Sequence, residues 1–269
     1  MADKRFVFQS VPTQATTDLE KALEGLAEPY RNELLTEFNG LEAAIISKDP
    51  SVKKGELSSI LAHYFSHTTL GVIKRLQAVS NMDNLGYHDD NYGDHYHPHV
   101  MGFVVPNFIR IAKGEVLDGK YQDPKNAFFG VMAAAGHDFG FGVNDGNRTT
   151  VQQYDQNEPL GAAMVQVYMD KFALKFGFTN EQISNVVRSI EYTWISKPLA
   201  SDNKEGIITG DVFQNASVLR DADLSYAGYR DKNESIPLAN RTLLAQRKFF
   251  DVEHESLLVL RLDGFLGRN

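Results

Sequence analysis

The run Ala127-Phe128-Phe129-Gly130-Val131-Met132-Ala133-Ala134-Ala135 carries no polar side chain, and it ends in Gly136-His137-Asp138. A helix that is apolar on every face belongs in an interior. An ionisable pair at the end of such a helix is costly to bury unless something pairs with its charge. The run therefore constrains the chain twice: it calls for a helical fold thick enough to bury a helix, and for a partner to His137-Asp138.

The rest of the chain supplies helical spacing almost throughout. Leu19, Ala22, Leu23 and Leu26 are spaced as one face of a helix over 18–26. Pro29 suits the start of a second, through Leu34, Leu35, Phe38, Leu41, Ala44 and Ile45, which Pro50 ends. A third is predicted over 54–79. Residues 80–94 are rich in Asn, Asp and Gly and predict a loop. Helical runs follow at 99–113, 125–138, 159–176, 180–197, 209–228, 238–250 and 252–265. Thr179 and Gln182 have the spacing of a capping box. Strand-like alternation is confined to Arg5–Gln9. The expected fold is all-α: residues 1–80 form an N-terminal helical extension, packed on a single helical domain over 81–269.

Composition narrows the chemistry. The chain has no cysteine among its 269 residues, which excludes disulfides, zinc ribbons, iron–sulfur clusters and Cys nucleophiles. Its net charge of −8 gives no strong signal for nucleic-acid binding. No stretch approaches the roughly 18–20 apolar residues of a membrane span. The start, MADKRFVFQSVPTQATTDLEK, has no apolar run of the secretory kind. A soluble, cytoplasmic protein is the expectation, with oligomeric state open between monomer and homo-oligomer.

Three places hold metal-type residues. Four of the eight histidines fall between His88 and His99, including Asp94-His95-Tyr96-His97-Pro98-His99. The second place is His137-Asp138, where a cation held by carboxylate and imidazole would offset the burial of charge. The third is Arg220-Asp221-Ala222-Asp223-Leu224. Asp221 and Asp223 lie two apart on a helix and face different ways, so one is the candidate ligand and the other a surface or capping group.

This order of His, His-Asp and Asp, with the dipeptide closing an apolar helix, resembles the HD-domain superfamily of metal-dependent phosphohydrolases over residues 95–230. The resemblance implies His99, His137, Asp138 and Asp223 as metal ligands. His99 is taken because it opens the apolar stretch Val100–Val105, and Asp223 because it follows an Ala and precedes a short apolar stretch. In the cyclic-nucleotide phosphodiesterase branch, a His four residues before the first metal ligand protonates the leaving group. His95 stands in that position, and His97, in a Tyr-His dipeptide, is its rival. After the His-Asp pair, however, this chain has Phe139-Gly140-Phe141-Gly142, and no His occurs between His137 and His254. The second-metal histidines of two-metal members are missing. Glu158, after Asn157, stands where many members carry a His-Glu pair. The implied cofactor is one tightly held divalent ion: Mn, Fe, Co, Ni, Zn or Mg.

Such a mixed N/O donor set with open positions suits hydrolysis of a small anionic phosphate ester, such as a nucleotide. His95 is the expected acid, Glu158 a further catalytic candidate, and Arg148 the expected phosphate-neutralising group, ahead of Lys197. His63 and His67, four apart on one helix, have metal-like spacing but no neighbouring carboxylate and read as structural. His88, His97 and Asp221 read as solvated, and Trp194 as core. Two other functions compete. One is a non-catalytic regulatory domain that binds a metal and a nucleotide. The other is a di-iron oxygenase, which requires histidines that this chain lacks.

Overall fold

The apolar run forms a helix with every residue from Ala127 to Gly136 buried. It sits in the middle of an array of helices described, in this computed structural model, over residues 15–24, 26, 28–66, 96–139, 157–193 and 210–224. Among the described residues every regular element is helical. In chain order they are α1 (Ala15–Ala22), α2 (Glu28–Lys48), α3 (Glu56–Tyr64), a π-helical segment (Tyr96–Val104) that runs straight into α4 (Val105–Leu117), α5 (Asn126–Gly136), α6 (Asn157–Phe176), α7 (Asn180–Glu191) and α8 (Gly210–Leu224). The all-α expectation is met.

The central helix, α5, packs on α4, α7 and α8 and also touches α3, α6 and the π-helical segment. Neighbours on every side explain why it has no polar face. Its glycines are points of closest approach. A Cβ on Gly130 would stand 2.2 Å from Phe108 Cζ on α4 and 2.5 Å from Asn215 Oδ1 on α8. One on Gly136 would stand 2.5 Å from Val165 Cγ2 on α6. The Tyr64 hydroxyl donates to the Met132 carbonyl at 3.0 Å, tying α3 to the middle of α5.

On α2, Leu34, Phe38, Leu41 and Ile45 make the buried stripe that helical spacing predicts. It lies against α4. At the edge of that contact Arg110 reaches Glu33 at 2.9 Å and Glu37 at 3.3 Å, and Lys113 reaches Glu37 at 3.1 Å. These pairs are wet enough to contribute only about 0–1 kcal/mol each. The buried Glu42 does more. Its carboxylate accepts from the amides of Gly55, Leu57 and Ser58 at 3.1, 3.1 and 3.2 Å. These amides open α3, and the N-cap residue Gly55, at φ 82°, offers no side chain of its own. One side chain of α2 thus satisfies the exposed donors of another helix.

The helices differ from expectation in two places. The run expected as α-helix over 99–113 begins at Tyr96 and is π-helical up to Val104. Pro106 has no N–H to close the usual bond to Gly102, so the ladder must be rearranged just before it. Gly102 also lies under Tyr30, whose ring would stand 2.8 Å from a Cβ there. The helix expected over 180–197 ends at Glu191. Its last turn tightens: the Thr193 amide donates to the Ile190 carbonyl at 3.0 Å and the Thr193 hydroxyl to that same carbonyl at 2.6 Å. The start of α7 matches expectation. Gln182 N donates to Thr179 Oγ1 at 3.2 Å, and Thr179 N to Gln182 Oε1 at 2.8 Å, which completes the capping box.

Buried residues from Leu19 on α1 to Ala222 on α8 form one continuous apolar core, so α1, α2 and α3 share their core with the later helices. The division expected at residue 80, the loop over 80–94, the strand at Arg5–Gln9 and the helices over 238–250 and 252–265 lie outside the described residues. The third expected helix is described only as far as residue 66. No helix among the described residues is long and apolar enough to cross a membrane.

Candidate functional site

The apolar helix delivers its terminal pair to one end of the array. His137 is the C-cap of α5, at φ −61° and ψ −34°. The next turn is closed by the Phe139 amide on the Gly136 carbonyl at 3.1 Å. The imidazole is buried, and its Nδ1 lies 2.7 Å from the Ala134 carbonyl oxygen. A carbonyl only accepts, so Nδ1 carries the hydrogen. In the neutral ring Nε2 is then a bare lone pair.

That nitrogen faces two carboxylates. Nε2 stands 3.4 Å from Asp138 Oδ2 and 3.8 Å from Asp223 Oδ1, the latter contributed by α8. A buried lone pair opposed by two anions is unfavourable, so the arrangement calls for a cation at Nε2: a proton or a metal ion. Burial alone would push the imidazole down. The Asp138 and Asp223 carboxylates and the Ala134 carbonyl outweigh it and hold the metal-free ring up at about 10. The side chains grade from dry to wet, with His137 2%, Asp138 11% and Asp223 34% exposed. The site therefore opens to solvent on the Asp223 side.

Glu158, in the first turn of α6, belongs to the same electrostatic cluster. Burial pushes its carboxyl up to about 7, the charges of Asp138 and Asp223 push in the same direction, and His137 opposes them. Its Oε2 is buried with no hydrogen-bond partner among the described residues.

One imidazole nitrogen and two carboxylates are donor types that divalent transition ions take. An imidazole that donates Nδ1–H to a backbone carbonyl presents Nε2 as metal-ligating histidines do. Donors about 2.1 Å from an ion at ordinary bond angles lie about 3.0–3.4 Å apart. The His137–Asp138 spacing falls at that limit, and Asp223 lies a few tenths of an ångström beyond it. Among the described residues no group of three or more His, Asp or Glu side chains is already close enough to hold an ion.

Of the expected site residues, the fold thus brings together His137, Asp138, Asp223 and Glu158. The backbone of His99 lies in the π-helical segment, which packs against both α5 and α8; its side chain lies outside the described residues, as does that of His97. His88, His95, Arg148, Trp194, Lys197 and His67 also lie outside them. Asp221 is exposed, as expected for the surface member of its pair. His63 packs edge-on against Phe176, with ring centroids 5.2 Å apart, and Lys175 Nζ lies 3.0 Å from its Nε2. It joins α3 to α6 and takes no part in the His137 cluster, as its structural reading requires.

Sequence reasoning overlooked a buried polar network beside α5. Asn215 on α8, fully buried, accepts from the Tyr121 hydroxyl at 2.8 Å and donates to the Asn126 carbonyl at 2.8 Å and to Asn185 Oδ1 at 2.9 Å. The available signal was a polar residue within an apolar face: Asn215 beside Ala216, Val218 and Leu219, and Asn185 and Ser189 among Ile183, Val186 and Ile190. No protein-family model, curated protein or solved structure matches the chain.

Proposed function

We propose that the chain is a metal-dependent phosphohydrolase of the HD-domain type, acting on a nucleotide or another small phosphate ester. One observation carries this reading. The buried His137 Nε2 faces Asp138 and Asp223, brought from the ends of two helices, while Nδ1 is fixed on the Ala134 carbonyl. A buried nitrogen and two carboxylates converging at the wet end of an apolar array are the donors that the H…HD…D order implies, with His99 as the fourth.

When bound, a divalent ion supplies a Lewis acid for a phosphoryl oxygen and lowers the pKa of a water that it holds. The chain's own residues do the rest. The Ala134 carbonyl fixes the His137 tautomer and ring plane. Asp138 and Asp223 provide negative charge that draws a cation to an otherwise apolar end. Glu158 holds a proton at a carboxyl raised to about 7, in the range where a group can both give and accept one. His95 is proposed to protonate the leaving oxygen and Arg148 to neutralise the phosphate.

The test is hydrolysis of a nucleotide panel and of a generic phosphodiester by purified protein loaded with Mn, Co, Ni, Zn or Mg. Turnover that depends on the ion and falls at least 100-fold in Asp138→Ala is expected. Absence of turnover with every ion, or turnover unchanged by Asp138→Ala, overturns the proposal.

A second reading, a non-catalytic regulatory domain, is favoured by a specific observation. No His occurs between His137 and His254, so the second-metal histidines of two-metal hydrolases are missing, and a single ion would serve to bind a nucleotide rather than to cleave it. Nucleotide binding by calorimetry without turnover, under the same ion conditions, would select it.

A further inference from the structure

The side chains that hold α8 against α5 do so at the end remote from His137. Asp211, in the first turn of α8, accepts from the amides of Gln122 and Asp123 at 2.7 and 2.9 Å and from Asn126 Nδ2 at 2.7 Å. One turn further along α8, Asn215 bonds the Asn126 carbonyl, Asn185 and Tyr121. Asn126 opens α5 and His137 ends it. Asp211 and Asn215 thus meet the start of α5, and Asp223 meets its end: the two helices lie side by side and run parallel. Gly130, one turn into α5, also lies close under α8: Asn215 Oδ1 stands 2.5 Å from the position a Cβ would take there.

Apolar contacts are non-directional and fix which turn faces which less sharply than hydrogen bonds do. Hydrogen bonds fix it, because an amide moved by one turn loses every partner. Asn215 is suited to this. It is 0% exposed, and three of its hydrogen-bonding capacities are used by three different parts of the chain. A slip would leave the buried Tyr121 hydroxyl and the Asn215 amide without these partners and strip one hydrogen bond each from the Asn126 carbonyl and Asn185, which the fold disfavours.

We propose that Asn215 is a positioning residue: together with Asp211 it sets the register of α8 on α5, and so brings Asp223 to His137 at the opposite end of the same helix pair. The inference rests on His137, Asp138 and Asp223 acting as one site. Its ion-binding consequence also rests on the phosphohydrolase reading, whereas its consequence for the metal-free protein does not. Asn215 touches neither substrate nor ion.

The experiment uses the full chain with Asn215→Ser and, in case that variant fails to fold, Asp211→Ala, which loosens the same end from the rim of the network. Ile45→Val on α2, in the core but away from α8, serves as a control for a loss of core stability that does not touch the network. Two readouts are taken: Co(II) affinity by chelator competition, and the His137 ring N–H resonances of the metal-free protein by NMR. Both register variants should bind Co(II) at least tenfold more weakly and should lose or shift the Nε2–H resonance, as is also expected of Asp223→Asn, while Ile45→Val leaves both unchanged. Wild-type affinity and an unshifted resonance in both variants overturn the proposal. So does an equal response in Ile45→Val, because the effect would then follow general loss of stability. If the wild type takes up no Co(II), the metal reading fails by itself and the resonance alone decides the positioning role.

Discussion

His137 Nε2 lies 3.8 Å from Asp223 Oδ1, an imidazole at the end of one helix facing a carboxylate from another. In the metal-free protein the Asp138 carboxylate, together with this pairing, outweighs burial and holds the ring up at about 10 against an ordinary 6.5. A folded value raised above the unfolded one contributes stability that is fully present below the unfolded pKa and is lost as pH rises through the folded one. The melting temperature of the metal-free protein is therefore expected to decline between about pH 7 and 10, and Asp223→Asn should flatten that decline. Thermal melts of both proteins across this range, with chelator present, are the measurement. Parallel curves would show that the pair is not coupled to folding.

The same proton has a consequence for metal loading. At neutral pH the ring is protonated, and an ion at Nε2 must displace that hydrogen. Co(II) uptake at pH 7 should release about one proton per ion. Calorimetric titration in two buffers of different ionisation enthalpy reads this directly, and identical heats in both would contradict it.

Glu42 satisfies three backbone donors at the start of α3 from a buried position on α2. Glu42→Ala should destabilise the protein by about 2–3 kcal/mol, since it removes a cap and leaves buried amides unpaired. Denaturant unfolding checks the size. The pH dependence of the His137 ring should be untouched, because the Glu42 carboxylate bonds only to the start of α3.

Two helical glycines should respond in opposite directions. A Cβ on Gly114, within α4, meets nothing within 4 Å, so Gly114→Ala should stabilise by about 0.5–1 kcal/mol through helix propensity. Gly130→Ala should destabilise by about 1–3 kcal/mol, because its methyl meets Phe108 and Asn215 at well under contact distance and overpacks the core. Melting curves of the pair settle both signs.

Residues that act through their own helix were legible in the sequence. The buried stripe of α2, the all-round apolarity of α5 and the Thr179–Gln182 capping box each follow from local spacing, and each appears in the structure. The exposure of Asp221 was legible for the same reason, because two positions apart on a helix diverge widely. Features that depend on distant partners were not. The widening before Pro106 accompanies a close approach of Tyr30 to Gly102. The cap supplied by Glu42 comes from another helix, and nothing in the residues around Glu42 marks it as a cap. The approach of Asp223 to His137 depends on how α8 is registered against α5, which hydrogen bonds at the far end of the pair decide.

A helix with no polar side chain between its ends has nothing of its own to stop it turning about its axis. α5 is such a smooth cylinder, and it is keyed at a few points: the Asn126 carbonyl held by Asn215, the groove at Gly130 and the Met132 carbonyl taken by Tyr64, while the His137 ring is latched on its own last turn and moves with the helix. The direction in which His137 aims is thus set by the angle at which this shaft is held. A mutation that lets it rotate, even one far from the histidine, would swing the imidazole out of line while leaving the core as greasy and as full as before.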